Sequence, residues 1–214
     1  MDKEQNQKMN QFSFSIGPSF AIGDFSDNSS GGAGTGINYS FSFQNLFSEQ
    51  YGIGLKFLNN SNSFDSEEVT RQLNSSTSYT WSTDKCSWSG YGVLDGLIEQ
   101  KQVSKKFSLN FKVLIGYLQM NSPEVKSYLT TSSNNWIKIG SASTGAFAYN
   151  IGAGFGILIN PKWNLLFNCD YFKSDLKYDN IVTTSCDGTS NNTNNVQQPY
   201  SIINITLGIG FNFK

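Results

Sequence analysis

The sequence predicts an all-β fold, an eight-stranded antiparallel up-and-down transmembrane β-barrel, on three observations. Eight segments alternate large apolar residues with small or polar ones at period two, the signature of strands with one greasy face. The links between those segments alternate in length, three short and four long. The polar faces are mostly Gly, Ser, Thr and Asn, which fit a narrow, crowded tube better than an open surface.

The first strand is expected at 12–22, with Phe12, Phe14, Ile16, Phe20 and Ile22 on one face and a local irregularity at Pro18. The second, about 36–46, sets Ile37, Tyr39, Phe41 and Phe43 against Asn38, Ser40, Ser42 and Gln44. The third, 51–58, opposes Tyr51, Ile53, Leu55 and Phe57 to Gly52, Gly54 and Lys56. The fourth, about 90–100, has the weakest pattern. Its acids are expected away from lipid, so Val93, Asp95, Leu97 and Glu99 are read as inward, and Gly92, Leu94, Gly96 and Ile98 as outward. The fifth (107–120), sixth (about 143–159) and seventh (163–177) return to clean alternation. The eighth closes the chain at 200–214, with Ile203, Ile205, Leu207, Ile209, Phe211 and Phe213 on its apolar face.

The links at 47–50, 101–106 and 160–162 are tight and polar, whereas 24–33 is a longer Gly/Ser/Asp stretch and 59–88, 121–141 and 178–199 are long and rich in polar residues such as Ser, Thr and Asn. Alternate connections of an up-and-down barrel share a rim, so one rim carries short turns and both termini and the other carries four loops. An open edge in hydrocarbon would leave backbone groups unpaired, so the eighth strand must pair with the first. Tyr51, Phe107, Trp163 and Phe213 fall near the short-turn rim and Phe20, Tyr39, Tyr117 and Tyr171 near the other, as two interfacial girdles. A soluble lipocalin-like barrel or sandwich is the alternative, but it would place the Gly-rich polar face outside and an oversized Phe/Ile/Leu face within.

At 214 residues one barrel domain is expected, 11–214, preceded by a flexible, polar mature N-terminus at 1–10. Mean hydropathy is −0.34, a value that misleads for barrels because the two faces cancel. A net charge of −1 and a single arginine, Arg71, argue against a nucleic-acid partner. Histidine is absent, which removes the commonest general base and metal ligand. The Gly-rich stretches 31–36 and 152–156 match no nucleotide-binding pattern. No catalytic residue, cofactor or metal is expected.

The chain resembles the small eight-stranded outer-membrane barrels of Gram-negative bacteria, the OmpA/OmpX-like group, and most of all the outer-membrane β-barrel family common in Bacteroidota. The residues that carry the resemblance are GPSFAIGDF at 17–25, Gly116 with Tyr117, and the terminal GIGFNFK at 208–214. It implies short periplasmic turns, four extracellular loops, and an outer-membrane location after removal of a signal peptide that this sequence does not include. It implies contact with outer-membrane lipid and lipopolysaccharide, and recognition of the last strand by the barrel-assembly machinery. Phe211 and Phe213 would carry that assembly signal, with Lys214 one residue beyond the usual terminal aromatic. The enzymes of such small barrels lean on His, so the expected function is non-enzymatic: a structural or surface-interaction role carried by the loops. The alternatives are an accessory subunit of a larger outer-membrane assembly, secretion or uptake complex, and a narrow channel for small or apolar solutes.

Three sets of residues are singled out. Lys56, Asp95, Glu99, Lys112 and Asp170 are read as a lumenal charge cluster, either a salt-bridged plug or an ion path, and Asp95→Ala is expected to weaken the barrel. Cys86 and Cys186 lie on loops of one rim in an oxidising compartment, where a disulfide is permitted and two free thiols are the alternative; Cys169 is placed on the lipid face. Tyr79, Trp81, Trp88 and Trp136 sit among polar loop residues, as contacts for a glycan or protein partner or as caps over the barrel mouth.

Overall fold

The computed structural model describes residues 9–213. Residues 1–8 of the expected flexible N-terminus lie outside that range, as does Lys214; Met9 and Asn10 belong to the first strand. In chain order the strands are β1 (Met9–Ala21), β2 (Ala33–Leu46), β3 (Tyr51–Phe64), β4 (Trp81–Thr83), β5 (Ser87–Gln102), β6 (Phe107–Asn121) and β7 (Val125–Leu129). They continue with β8 (Ser132–Ile139), β9 (Ser143–Asn160), β10 (Trp163–Tyr178), β11 (Ile181–Ser185), β12 (Ser190–Thr193) and β13 (Val196–Phe213). A helix, α1 (Ser66–Ser76), joins β3 to β4, and a single 3-10 turn spans Gly23–Phe25.

Eight of these strands hydrogen-bond in a closed ring, in the order β1-β13-β10-β9-β6-β5-β3-β2, with every neighbour antiparallel. The last strand closes on the first, from Asn10↔Phe213 to Ala21↔Ile202. Pairing with β13 lapses at Gly17 and Pro18 and resumes in the same register at Ser19↔Asn204. Pro18 has no N–H to give, and a Cβ on Gly17 would lie 2.0 Å from the Ile205 carbonyl oxygen, so only glycine lets the two backbones approach this closely.

The period-two pattern becomes a two-faced wall. Phe12, Phe14, Ile16, Ile37, Phe41, Phe57, Phe111, Val113, Ile151, Ile205 and Leu207 point out of the ring, while Ser13, Ser15, Ser40, Asn150, Asn204 and Thr206 are buried within it. Several strands outrun their expected ends. In β3 the apolar alternation stops at Leu58, yet pairing continues through Asn59 and Ser61 with both β2 and β5, and through Ser63 with β5, polar side chains that carry the strand beyond the apolar belt.

Much of the long-link sequence is ordered. A second, five-stranded sheet, β12-β11-β8-β7-β4, is built from the links after β3, β6 and β10. Helix α1 is capped by Asp65, which accepts from the Glu68 N–H at 3.0 Å, with Arg71 bonded back to Glu68 one turn later.

Candidate functional site

The lumen is filled. Towards the short turns it is polar: Gln11 Nε2 donates to Asn212 Oδ1 at 2.8 Å, and Asn164 Nδ2 donates to the same oxygen at 3.2 Å. Above this lies the charge cluster. Lys56 Nζ is 2.9 Å from Asp170 Oδ2, and Lys112 Nζ is 2.9 Å from Asp170 Oδ1. Asp170 is 1 % exposed, so its carboxylate is held by two ammonium groups with almost no help from solvent. β3, β6 and β10 each supply one of the three side chains, so the cluster ties non-adjacent walls of the ring together. Beside it is a cavity of about 10 Å³, lined by Ser13, Ser15, Ser40, Asn110 and Asn168 among others, the size of a single water.

Towards the long links the interior turns apolar. Leu58, Leu94, Leu114, Leu118, Met120, Phe172, Leu176 and Ile202 pack into one cluster. Five aromatics stopper it. Phe25 lies with its ring centroid 4.6 Å from Tyr200 and 5.4 Å from Trp88, Trp88 lies 6.0 Å from Tyr178, and Phe172 meets Tyr200 edge-on at 5.8 Å. Trp88 Nε1 donates to the Gly31 carbonyl at 2.9 Å, which fastens the 22–32 link over the mouth. Phe25 escapes a reading by periodicity because it is a lone aromatic in a Gly/Ser/Asp segment. That isolation is the available signal: a fully buried Phe in a polar link needs a pocket to enter.

Two of the five residues expected in the lumen are not there. Asp95 and Glu99 lie on the outer wall, and Leu94 and Ile98 lie inside. The register of β5 against its neighbours decides this. Residues paired across a sheet share a face; Leu94 is paired with Lys56, and Ile98 with Lys112, both of which point inward. The rule that acids avoid an apolar exterior gives way to the need for Leu94 and Ile98 to join the lumenal apolar cluster. Asp95→Ala therefore removes no lumenal ion pair.

Cys86 and Cys186 are not bridged; all three cysteines are free. Cys86 precedes β5, where its carbonyl accepts from Phe64 N–H and its Sγ lies 3.7 Å from Ser66 Oγ. Cys186 directly follows β11, in the turn to β12, and its Sγ lies 3.7 Å from Asn135 Oδ1. Burial pushes the Cys86 thiol pKa up. Cys169 lies on the outer wall as expected.

The four loop aromatics separate. Trp88 is a cap and unavailable to a partner. Tyr79 is exposed; Trp81 is half-buried and donates through Nε1 to Thr77 Oγ1 at 3.0 Å; Trp136 carries Lys126 Nζ 5.9 Å above its ring. These three belong to the second sheet or to the α1–β4 link that reaches it. Phe211 and Phe213 project outward at the short-turn rim, where Phe213 stacks on Phe12 at 5.1 Å and Phe211 meets Trp163 at 5.0 Å. Among the described residues no cluster of His, Cys, Asp and Glu is arranged to hold a metal.

No protein-family model matches the chain, and no curated protein matches it. Solved structures do. A major outer membrane protein from Thermus thermophilus aligns with a TM-score of 0.58 at 10% identity, over 95% of this chain and 99% of that one. The outer membrane protease OmpT from Escherichia coli aligns at 0.53 and 11% identity, over 98% of each chain. Ail, the attachment invasion locus protein of Yersinia pestis, aligns at 0.51 and 14% identity, over 97% of this chain and 99% of that one. The closed eight-stranded ring, its apolar exterior and these alignments agree: the chain has the fold of the small outer-membrane β-barrel proteins.

Proposed function

We propose that the chain is a non-enzymatic integral outer-membrane barrel of a Gram-negative bacterium, with a structural or surface-interaction role carried by its second sheet. The carrying observation is the division of the ring. Its outward positions between two aromatic girdles are mostly Phe, Ile, Leu and Val, with Asp95 the charged exception, and its interior is filled by the polar and apolar clusters beside a water-sized cavity. A wall of that kind is stable in hydrocarbon and costly in water. The short turns at 47–50, 103–106 and 161–162 then face the periplasm, and the second sheet stands at the cell surface.

The packed lumen argues against the channel reading, since a solute would have to displace the Phe25–Trp88–Tyr200 stopper and the Lys56–Asp170–Lys112 bridge. The absence of His and the sealing of that bridge from solvent support the non-enzymatic reading. Surface interaction is supported by the exposed side chains of β12 and by Tyr79, Trp81 and Trp136 around the second sheet. Lipid and lipopolysaccharide would solvate the wall, and Phe211 and Phe213 would be read by the barrel-assembly machinery.

An epitope inserted at 187–189, in the β11–β12 turn, tests the arrangement in the native bacterium. The protein should resist alkaline carbonate extraction, migrate faster on a gel before boiling than after, and expose the epitope to antibody on intact cells. Extraction into the soluble fraction, or an epitope reached only after permeabilisation, would overturn the reading.

A further inference from the structure

The outer wall of β5 breaks the rule that the rest of the ring obeys. Its outward residues run Tyr91, Val93, Asp95, Leu97, Glu99. Asp95 is paired with Leu55 and Ile115, well between the girdles, and Glu99 with Tyr51 and Phe111, near the short-turn rim. Neither carboxylate makes a salt bridge or side-chain hydrogen bond among the described residues. The wall is also concave here. A groove of about 360 Å³ is lined by Phe43, Ile53, Leu55, Asp95 and Leu97, and a second of about 220 Å³ by Tyr51, Leu97, Glu99, Phe111 and Val113. Leu97 forms the ridge between them and is 66% exposed, more than any other large apolar residue of the wall.

A carboxylate in hydrocarbon is expensive, and such residues normally face protein or water. Lipid tails offer Asp95 no donor. A second copy offers none either. The outward cation of β5, Lys101, lies beyond Glu99 towards the short-turn rim, so two β5 walls face to face would set like charges against each other at the depth of Asp95. A neighbour with a cationic side chain satisfies both the charge and the grooves.

We propose that the β5 wall, centred on Asp95 and Leu97, is the docking face for a different membrane-embedded protein that presents a Lys or Arg at the same depth. Leu97 inserts between apolar side chains of the partner, and the partner's cation enters the Asp95 groove. This rests on the membrane-spanning reading above, and it assigns the lateral partner that the accessory-subunit alternative requires.

The test is photo-crosslinking in intact cells of the native bacterium. Leu97→p-benzoylphenylalanine probes the wall, and Ile205→p-benzoylphenylalanine on β13 probes the opposite side of the ring. The expected result is one protein adduct from position 97 and none from 205, with the crosslinked peptide in a membrane-spanning segment that contains a Lys or Arg. Its yield should fall at least tenfold with Asp95→Leu or Asp95→Lys, and return when Asp95→Lys meets the partner's reciprocal cation-to-Asp change. Gel mobility before boiling shows that each variant is folded. Lipid or lipopolysaccharide adducts alone, an adduct to a second copy, or a yield indifferent to Asp95 would overturn the proposal. Loss of the protein to carbonate extraction would instead overturn the membrane reading beneath it.

Discussion

Replacing Asp170 by Asn should cost this barrel about 3–5 kcal/mol, the range for removing one partner from a buried charge pair. Asp170 holds Lys56 and Lys112 at 2.9 Å each. At an effective dielectric of 20, each contact carries about 6 kcal/mol of gross attraction. Most of that offsets the loss of hydration by three buried ions, so the intact cluster adds little net stability. The variant differs because its loss is not compensated. Two ammonium groups would remain beside a cavity the size of one water, with neutral acceptors alone, such as the variant's own amide oxygen and Asn168 Oδ1, 3.4 Å from Lys112 Nζ, in place of the carboxylate. The measurement is reversible urea unfolding in lipid vesicles. With a slope of about 2–3 kcal/mol/M, the midpoint should fall by roughly 1–2.5 M. Lys112→Met in the Asp170→Asn background should recover part of the loss, since one cation then has no rival. A midpoint within about 0.2 M of wild type would refute the reasoning, because it would mean that water reaches these groups freely.

The remaining predictions follow from the same placements. Asp95→Leu should raise the unfolding free energy of the isolated barrel in vesicles by about 1–3 kcal/mol, the reverse of the loss expected of a lumenal acid; a decrease would return Asp95 to the interior. Without reductant, mass spectrometry after denaturing alkylation should find all three cysteines modified, and in the native state Cys186 should react faster than Cys86, whose thiol burial keeps protonated. Hydrogen bonds from Thr189 N–H and Ser185 Oγ hold the Asp187 carboxyl below the usual carboxylate range. Its contribution to the β11–β12 turn is therefore complete above pH about 4 and lost as pH falls through the lowered value. Protection of the Thr189 amide, referenced to Asp187→Asn, should decline over that acid range and stay flat above it.

The ring was legible because period two is a strong signal when one face meets lipid and the other a crowded lumen. Seven of the eight strands keep the inward and outward faces that their sequences predict, and β13 closes on β1 as an up-and-down barrel requires. The second sheet was hidden for the opposite reason. VKSYL, SSNNWIKI and IVTTS are strands without a strict apolar face, and although β7 pairs locally with β8 and β11 with β12, the β8–β11 and β4–β7 pairings that join them into one sheet link segments far apart in sequence. Helix α1 did leave a local mark: Asp65 followed by Glu68 is a helix-start pattern, set in a Ser-rich link that reads as loop.

β5 is the instructive failure. Its alternation runs apolar on both faces, Val93 and Leu97 against Leu94 and Ile98, so hydrophobicity alone leaves the parity open. A rule about where acids belong broke the tie the wrong way. Its neighbours held the answer: Lys56 and Lys112 sit on clean strands with unambiguous inward faces, and whatever pairs with them must be inward too. Parity in a closed ring is therefore a property of the whole ring. A residue such as Asp95, which violates the lipid rule only once the ring is closed, marks the place where the wall is shaped for something other than lipid.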